Sequence, residues 1–152
     1  MRSALALAEQ ARESGEVPVG AIVVLGEETV GWGRNSPITL SDPTAHAEIL
    51  ALREAAARTG NYRLSGATLY CTVEPCLMCL GAMLHARIGR LVYGAPDPKV
   101  SATAMLASLG GLGAEFNHGF EIRGGVLAEE ASGLLLDFFR ERRAEPGRET
   151  LE

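Results

Sequence analysis

Ala67-Thr68-Leu69-Tyr70-Cys71-Thr72-Val73-Glu74-Pro75-Cys76-Leu77-Met78-Cys79-Leu80-Gly81-Ala82-Met83-Leu84-His85-Ala86-Arg87 is the stretch whose reading decides the fold. Its first seven residues form a short run of β-branched, aromatic and apolar side chains, which reads as a buried strand. Pro75 then stands where a helix can begin, because its missing N–H costs nothing in a first turn. The helix so started carries Cys76 and runs to about Arg87. A strand that feeds a helix in this way is the unit of an α/β fold.

Working outward, residues 3–13 are rich in Ala and Leu interspersed with Glu, Gln and Arg, and Gly15 ends that helical pattern. Val19 to Leu25 reads as an apolar strand, Gly26-Glu27-Glu28 as a turn, and Thr29 to Gly33 as the returning strand of a hairpin. Residues 34–43 carry loop chemistry. Thr44 is placed to cap a helix running to about Arg58, before the turn residues Gly60-Asn61. Downstream, Leu91 to Tyr93 predicts a strand, 102–109 a helix broken by Gly110, Gly111 and Gly113, and Phe120 to Arg123 an edge strand. Leu127 to Arg143 predicts a final helix with Leu134, Leu135, Phe138 and Phe139 as its apolar stripe. Strands alternating with helices imply a three-layer α/β/α sandwich around a central mixed five-stranded sheet.

The length of 152 residues fits a single domain over 1–152, with the tail after about 144 expected to fray. A hydrophobic fraction of 47% is enough for one core, and the longest apolar run is strand-sized, too short to span a bilayer. Met1-Arg2-Ser3-Ala4-Leu5 lacks the apolar stretch of a secretory signal, so the expectation is a cytoplasmic protein with no membrane partner. The net charge of -5 argues against coating nucleic acid by bulk attraction. It leaves room for a local basic patch: Arg140, Arg142 and Arg143 cluster near the C-terminus, though such a run is more often a solvated last helical turn. Three cysteines, an odd number, argue against a disulfide framework and for metal or catalytic use of some of them.

Cys76 and Cys79, at i and i+3 in a first helical turn, share one face, and a helix N-terminus favours their thiolate forms. His46-Ala47-Glu48 lies at the start of the helix after Thr44. If the two helix starts face each other, one imidazole and two thiolates converge on a tetrahedral ion and leave its fourth position open, the arrangement of a catalytic zinc site. Cys71 lies inside a strand and reads as a small core residue. His85 is nine residues past Cys76, about 180° around the helix, and so points away. Glu48 is about 200° from His46 on an ideal helix, which separates them unless both lean past the helix end. If they do, Glu48 moves the proton between water and substrate. A lone His-x-Glu is close to noise. Paired with Pro-Cys-x-x-Cys at a second helix start, it is the pattern of zinc deaminases.

The sequence also resembles the bacterial tRNA-specific adenosine deaminases, which share the cytidine deaminase-like fold. The likeness extends beyond the metal motifs to Glu16 to Ala21, Asp42 to Ile49, Asn61 to Leu64, Gly81 to Arg90, Asn117-His118 and Asp137 to Arg140, and runs from about residue 1 to 143. It implies hydrolysis of adenosine to inosine at the wobble position of a tRNA anticodon, by a homodimer with one Zn2+ per subunit. It further implies that Asn35 holds the purine and that the backbone around Ala47, Pro75 and Cys76 orients water and base. Asp97, Lys99, Asn117, His118, Phe139 and Arg140 fall in segments the family uses near the anticodon stem-loop.

One stretch departs. After Asp97-Pro98-Lys99 the family continues roughly as Lys-x-Gly-Ala-x-Gly-Ser, whereas this chain reads Lys99-Val100-Ser101-Ala102-Thr103-Ala104-Met105, without glycine. The competing readings are a zinc-dependent deaminase of a free nucleobase or nucleoside (guanine, cytosine or adenine), a non-catalytic zinc module and a redox Cys-x-x-Cys protein.

Overall fold

The computed structural model describes residues 1–97, 99, 101–108 and 117–144. The elements run α1 (Arg2–Glu13), β1 (Gly20–Leu25), β2 (Glu28–Arg34), α2 (Pro37–Leu40), α3 (Ala47–Thr59), β3 (Thr68–Val73), α4 (Leu77–Ala86), β4 (Arg90–Ala95), α5 (Ala102–Ser108), β5 (Glu121–Arg123) and α6 (Ala128–Ala144). Five strands form one mixed sheet in the order β2-β1-β3-β4-β5. β1 is antiparallel to β2 and β3, while β3, β4 and β5 run parallel. The sandwich expected from the sequence is the one observed.

Register decides which helix meets which face. Gly20 stands opposite Arg34, whose guanidinium donates to Gln10 of α1, and a Cβ on Gly20 would lie 2.0 Å from the Ala4 carbonyl oxygen. The next pair, Ala21 and Gly33, looks to the other face, where α3 lies so close that a Cβ on Gly33 would be 1.9 Å from the Ala47 oxygen. Glycine is therefore required by the approach of β2 to the first turn of α3. The face shared by α3, α4 and α5 holds the larger core, including Val23, Leu52, Leu69, Leu80, Met83, Leu91 and Leu106. α1 and α6 cover the other face through Leu5 and Ala131.

Four local expectations need correction. Residues 34–43, read as loop, contain the one-turn helix α2, pinned where Thr39 donates through its N–H and hydroxyl to the buried carboxylate of Glu16 at 2.7 and 2.9 Å. Thr44 does not cap α3: its N–H and hydroxyl turn back to Asp42 at 2.8 and 2.7 Å, and His46 is the N-cap. α4 begins at Leu77, with Cys76 as N-cap and Pro75 outside it. The edge strand expected over 120–123 is β5, shorter by one residue. Gly110, Gly111 and Gly113 and the tail after 144 lie outside the described residues. Among the described residues, no helix is long and apolar enough to cross a membrane.

Candidate metal centre and active site

Two helix starts build the site. His46 and Cys76 are the N-caps of α3 and α4, and both have extended backbone, with φ -73° and ψ 150° at His46 and φ -73° and ψ 170° at Cys76. A residue in this conformation swings its side chain out of the helical array, so the 200° separation of His46 from Glu48 on an ideal helix does not apply. The α3 start is held from β2: the Asn35 side-chain oxygen accepts the Ala47 N–H at 3.0 Å, and the Ser36 N–H donates to the Ala45 carbonyl at 3.0 Å. The α4 start is held from β4 by the Glu74 N–H, which donates to the Ala95 carbonyl at 2.8 Å.

His46 Nδ1 lies 3.6 Å from Cys76 Sγ and 3.6 Å from Cys79 Sγ, and the two sulfurs are 3.7 Å apart. With Zn–S of about 2.3 Å and Zn–N of about 2.0–2.1 Å, a tetrahedral ion requires S···S of about 3.8 Å and N···S of about 3.6 Å. The donor triangle therefore has the edges of a tetrahedral face. Among the described residues these three form the one such cluster of potential ligands, so the donor set is three protein atoms and an open position.

Electrostatics follow from the crowding. A shared hydrogen bond with the Cys79 thiol, assisted by His46, draws Cys76 from 9.0 down to about 4, against the opposing effect of burial. Cys79 is driven the other way by the same bond and by its burial. His46 is raised above its ordinary value by its hydrogen bond with Cys76. Glu48 is buried, and burial raises its pKa, although the hydrogen bond to its own N–H and the nearness of His46 pull it down. A carboxyl buried in this way keeps its proton more readily than an exposed one.

Of the other expected site residues, Ala47 and Pro75 lie beside the ligands in sequence and are buried, and Asn35 accepts the Ala47 N–H through its amide oxygen. Asp97 joins the same end of the sheet, its N–H donating to Glu74 at 3.1 Å, and the Lys99 N–H donates to Asp97 Oδ1 at 2.8 Å. Asn117 and His118 are elsewhere, in a cleft with Tyr62, Arg63, His85 and Arg87 at the far end of α4, where the His118 ring nitrogen bonds the Ile88 carbonyl oxygen at 2.8 Å. Phe139 and Arg140 sit on α6: Phe139 is edge-on to Phe138, and Arg140 pairs with Asp137 at 3.3 Å. Arg142 stacks on Phe138 and donates to the Gly15 carbonyl, so part of the arginine cluster serves the fold. Cys71 is buried in the main core. The sequence reading overlooked Glu74. Its signal was there: it is the one carboxylate between Ala67 and Ala86.

Residues 1–95 match the model of the cytidine and deoxycytidylate deaminase zinc-binding region. A tRNA-specific adenosine deaminase of Haemophilus influenzae is 49% identical over 154 aligned positions, covering 95% of this chain and 84% of that protein. A tRNA(Ile)-lysidine synthase of Deinococcus radiodurans is 51% identical over 144 positions, which are 94% of this chain but only 24% of that protein, so the likeness is to one part of a longer chain. A structure from a study of A-to-I editing by tRNA:A34 deaminases superposes with a TM-score of 0.81 at 39% identity, over 89% of this chain and 97% of that one. Similar along nearly its whole length to these relatives in sequence and in fold, the chain belongs to the tRNA-specific adenosine deaminases of the zinc-binding cytidine deaminase family.

Proposed function

We propose that this chain hydrolyses adenosine to inosine at the wobble position of a tRNA anticodon, as a single deaminase domain acting in the cytoplasm, with one zinc ion per subunit. The observation that carries the chemistry is the triangle of His46 Nδ1, Cys76 Sγ and Cys79 Sγ beside the buried carboxyl of Glu48. Zinc held there supplies Lewis acidity and lowers the pKa of water towards neutrality. Glu48 takes up the proton that water loses and returns it to the base, so that the C6–N bond breaks, a C6–O bond forms and ammonia leaves. Asn35, its amide oxygen already fixed by the Ala47 N–H, holds the purine through its NH2 group. Cys79 is fully buried beside the two N-caps that supply the other ligands.

Membership in the family supports tRNA as substrate. Asp97, tied to Glu74 through its N–H, and Lys99, tied to Asp97, are assigned to the flanking nucleotides. Asn117, His118, Phe139 and Arg140 are assigned to more distant parts of the stem-loop. Two copies pair through the apolar face of α3 and α4. Leu80 and Met83, which gave α4 its apolar character in the sequence, are spent in the core, and the exposed side chains are Leu77, Met78 and, nearby, Tyr62.

The test is an assay of zinc-loaded protein on a short anticodon stem-loop with A at the wobble position, beside free adenine, guanine, cytosine and adenosine. Inosine in the stem-loop is the expected product. Deamination of a free base with the stem-loop untouched would replace this reading with that of a nucleobase deaminase.

A further inference from the structure

Glu74 is a buried carboxylate two residues before Cys76, and none of the ion pairs among the described residues includes it. A buried anion without a countercharge is costly unless donors surround it. Here the donors come from one segment. Asp97 donates its N–H to Oε2 at 3.1 Å. Ser101 donates its hydroxyl to Oε1 at 2.8 Å, and Thr103 donates both its N–H, at 3.1 Å, and its hydroxyl to the same oxygen. Ser101 Oγ also accepts the Ala104 N–H at 3.2 Å, which fastens the clamp to the first turn of α5.

The placement gives this clamp its meaning. β3 and β4 are parallel, with Val73 paired to Ala95, so their carboxyl ends deliver Glu74 to Cys79 and, from the β4 side, Asp97, Ser101 and Thr103 to the same edge of the sheet. Ligands of such sheets lie beyond the carboxyl ends of the strands. The segment tied to Glu74 is therefore one wall of the space in front of the metal ligands. This is also the stretch where glycine is missing, and the two hydroxyl residues that stand in it, Ser101 and Thr103, are the ones that hold Glu74.

We propose that Glu74 is a positioning residue for the substrate: it fixes Asp97, Ser101 and Thr103 against the metal-bearing helix start, so that Asp97 and Lys99 meet the nucleotides flanking the reacting base in one register. The proposal rests on the reading of the chain as an RNA deaminase. Glu74 itself touches no substrate. Its carboxylate acts through the hydroxyls and amides it binds.

The experiment compares Glu74→Gln, and separately the Ser101→Ala/Thr103→Val pair, with the parent protein. Both sets are measured for zinc content, for stem-loop deamination kinetics and for hydrogen exchange at the Asp97 and Thr103 amides. Gln keeps one acceptor oxygen and loses the other, and the paired variant removes the two hydroxyl donors without altering the metal-bearing segment. The expected result is full zinc content, KM for the stem-loop raised about tenfold with kcat changed less than about threefold, and faster exchange at both amides. Unchanged KM in both variants, with an active parent, would overturn the proposal, as would a fall in kcat that tracks zinc loss. If the parent makes no inosine, the RNA reading falls and takes the substrate side of the proposal with it. Slow exchange at both amides in the variants would show that Glu74 does not clamp the segment at all.

Discussion

His46 and Glu48 work on one reaction centre because one of them is not yet in the helix. As N-cap, His46 has extended backbone, while Glu48 is in the first turn, and the pair faces the space beyond the helix end. Substituting Glu48→Gln keeps the volume and removes the titratable oxygen. The expected outcome is full zinc content and a fall in kcat of about 10²–10⁴-fold, read from single-turnover deamination together with metal analysis. Cys76 offers a second check, in the metal-free protein. Its thiol is drawn from 9.0 to about 4, so it is a thiolate across the neutral range, whereas Cys79 is raised and stays protonated. Alkylation at Cys76 should therefore run at a nearly constant rate from pH 6 to 8 and slow only as pH falls towards about 4, whereas an ordinary thiol still gains rate steeply with pH through neutrality. Zinc should suppress the reaction. Mass spectrometry of the alkylated peptide tells Cys76 from Cys79, and a rate that climbs tenfold per pH unit through neutrality would refute the assignment.

At the scale of elements, the metal-bearing helix starts are positioned by contacts that a reading of motifs sees only in part. The strand and helix patterns over 67–87, the hairpin and the final helix were legible because apolar periodicity is local information. The cap of α3 was not, because Thr44 and His46 compete for that role and the winner depends on Asp42, which engages both donors of Thr44. α2 was illegible for a similar reason, since it is held by Glu16 from the α1–β1 connection, more than twenty residues away in sequence. The ligands themselves were readable because zinc demands a fixed residue set at fixed spacing. Glu74 was not recognised, because its partners lie on a different strand's exit. Gly33 shows how tight the fit is. Gly33→Ala would drive a methyl to within 1.9 Å of the Ala47 oxygen and 2.7 Å of the Ala51 nitrogen, both backbone atoms of α3. The expected cost is about 1–3 kcal/mol, or a Tm lower by several degrees, with weaker zinc retention because α3 carries His46. Thermal unfolding followed with and without a chelator measures both, and an unchanged Tm would show that α3 is not seated on β2 as described.

At the scale of the whole molecule, the described residues leave an apolar face on α3 and α4 uncovered. Leu77 is 49% exposed and Tyr62 64% exposed, and both border a cleft with Met78, Gly81 and Ala82 along α3 and α4. A net charge of -5 leaves little long-range attraction between copies, so pairing here has to come from apolar area. Gly81 separates this idea from simple misfolding. A Cβ there meets nothing within 4 Å, and glycine inside a helix costs about 0.8–1 kcal/mol relative to alanine, so a longer side chain suits the isolated subunit. Gly81→Glu should therefore leave Tm and zinc content intact or raised at low protein concentration while placing a charge in the centre of the paired face. Sedimentation at micromolar concentration is expected to give twice 16.1 kDa for the parent and 16.1 kDa for the variant. A parent already at 16.1 kDa would end the homodimer proposal. A variant that stays paired would move the interface away from α4, since an unpaired carboxylate buried between two apolar helices costs more than such a contact returns.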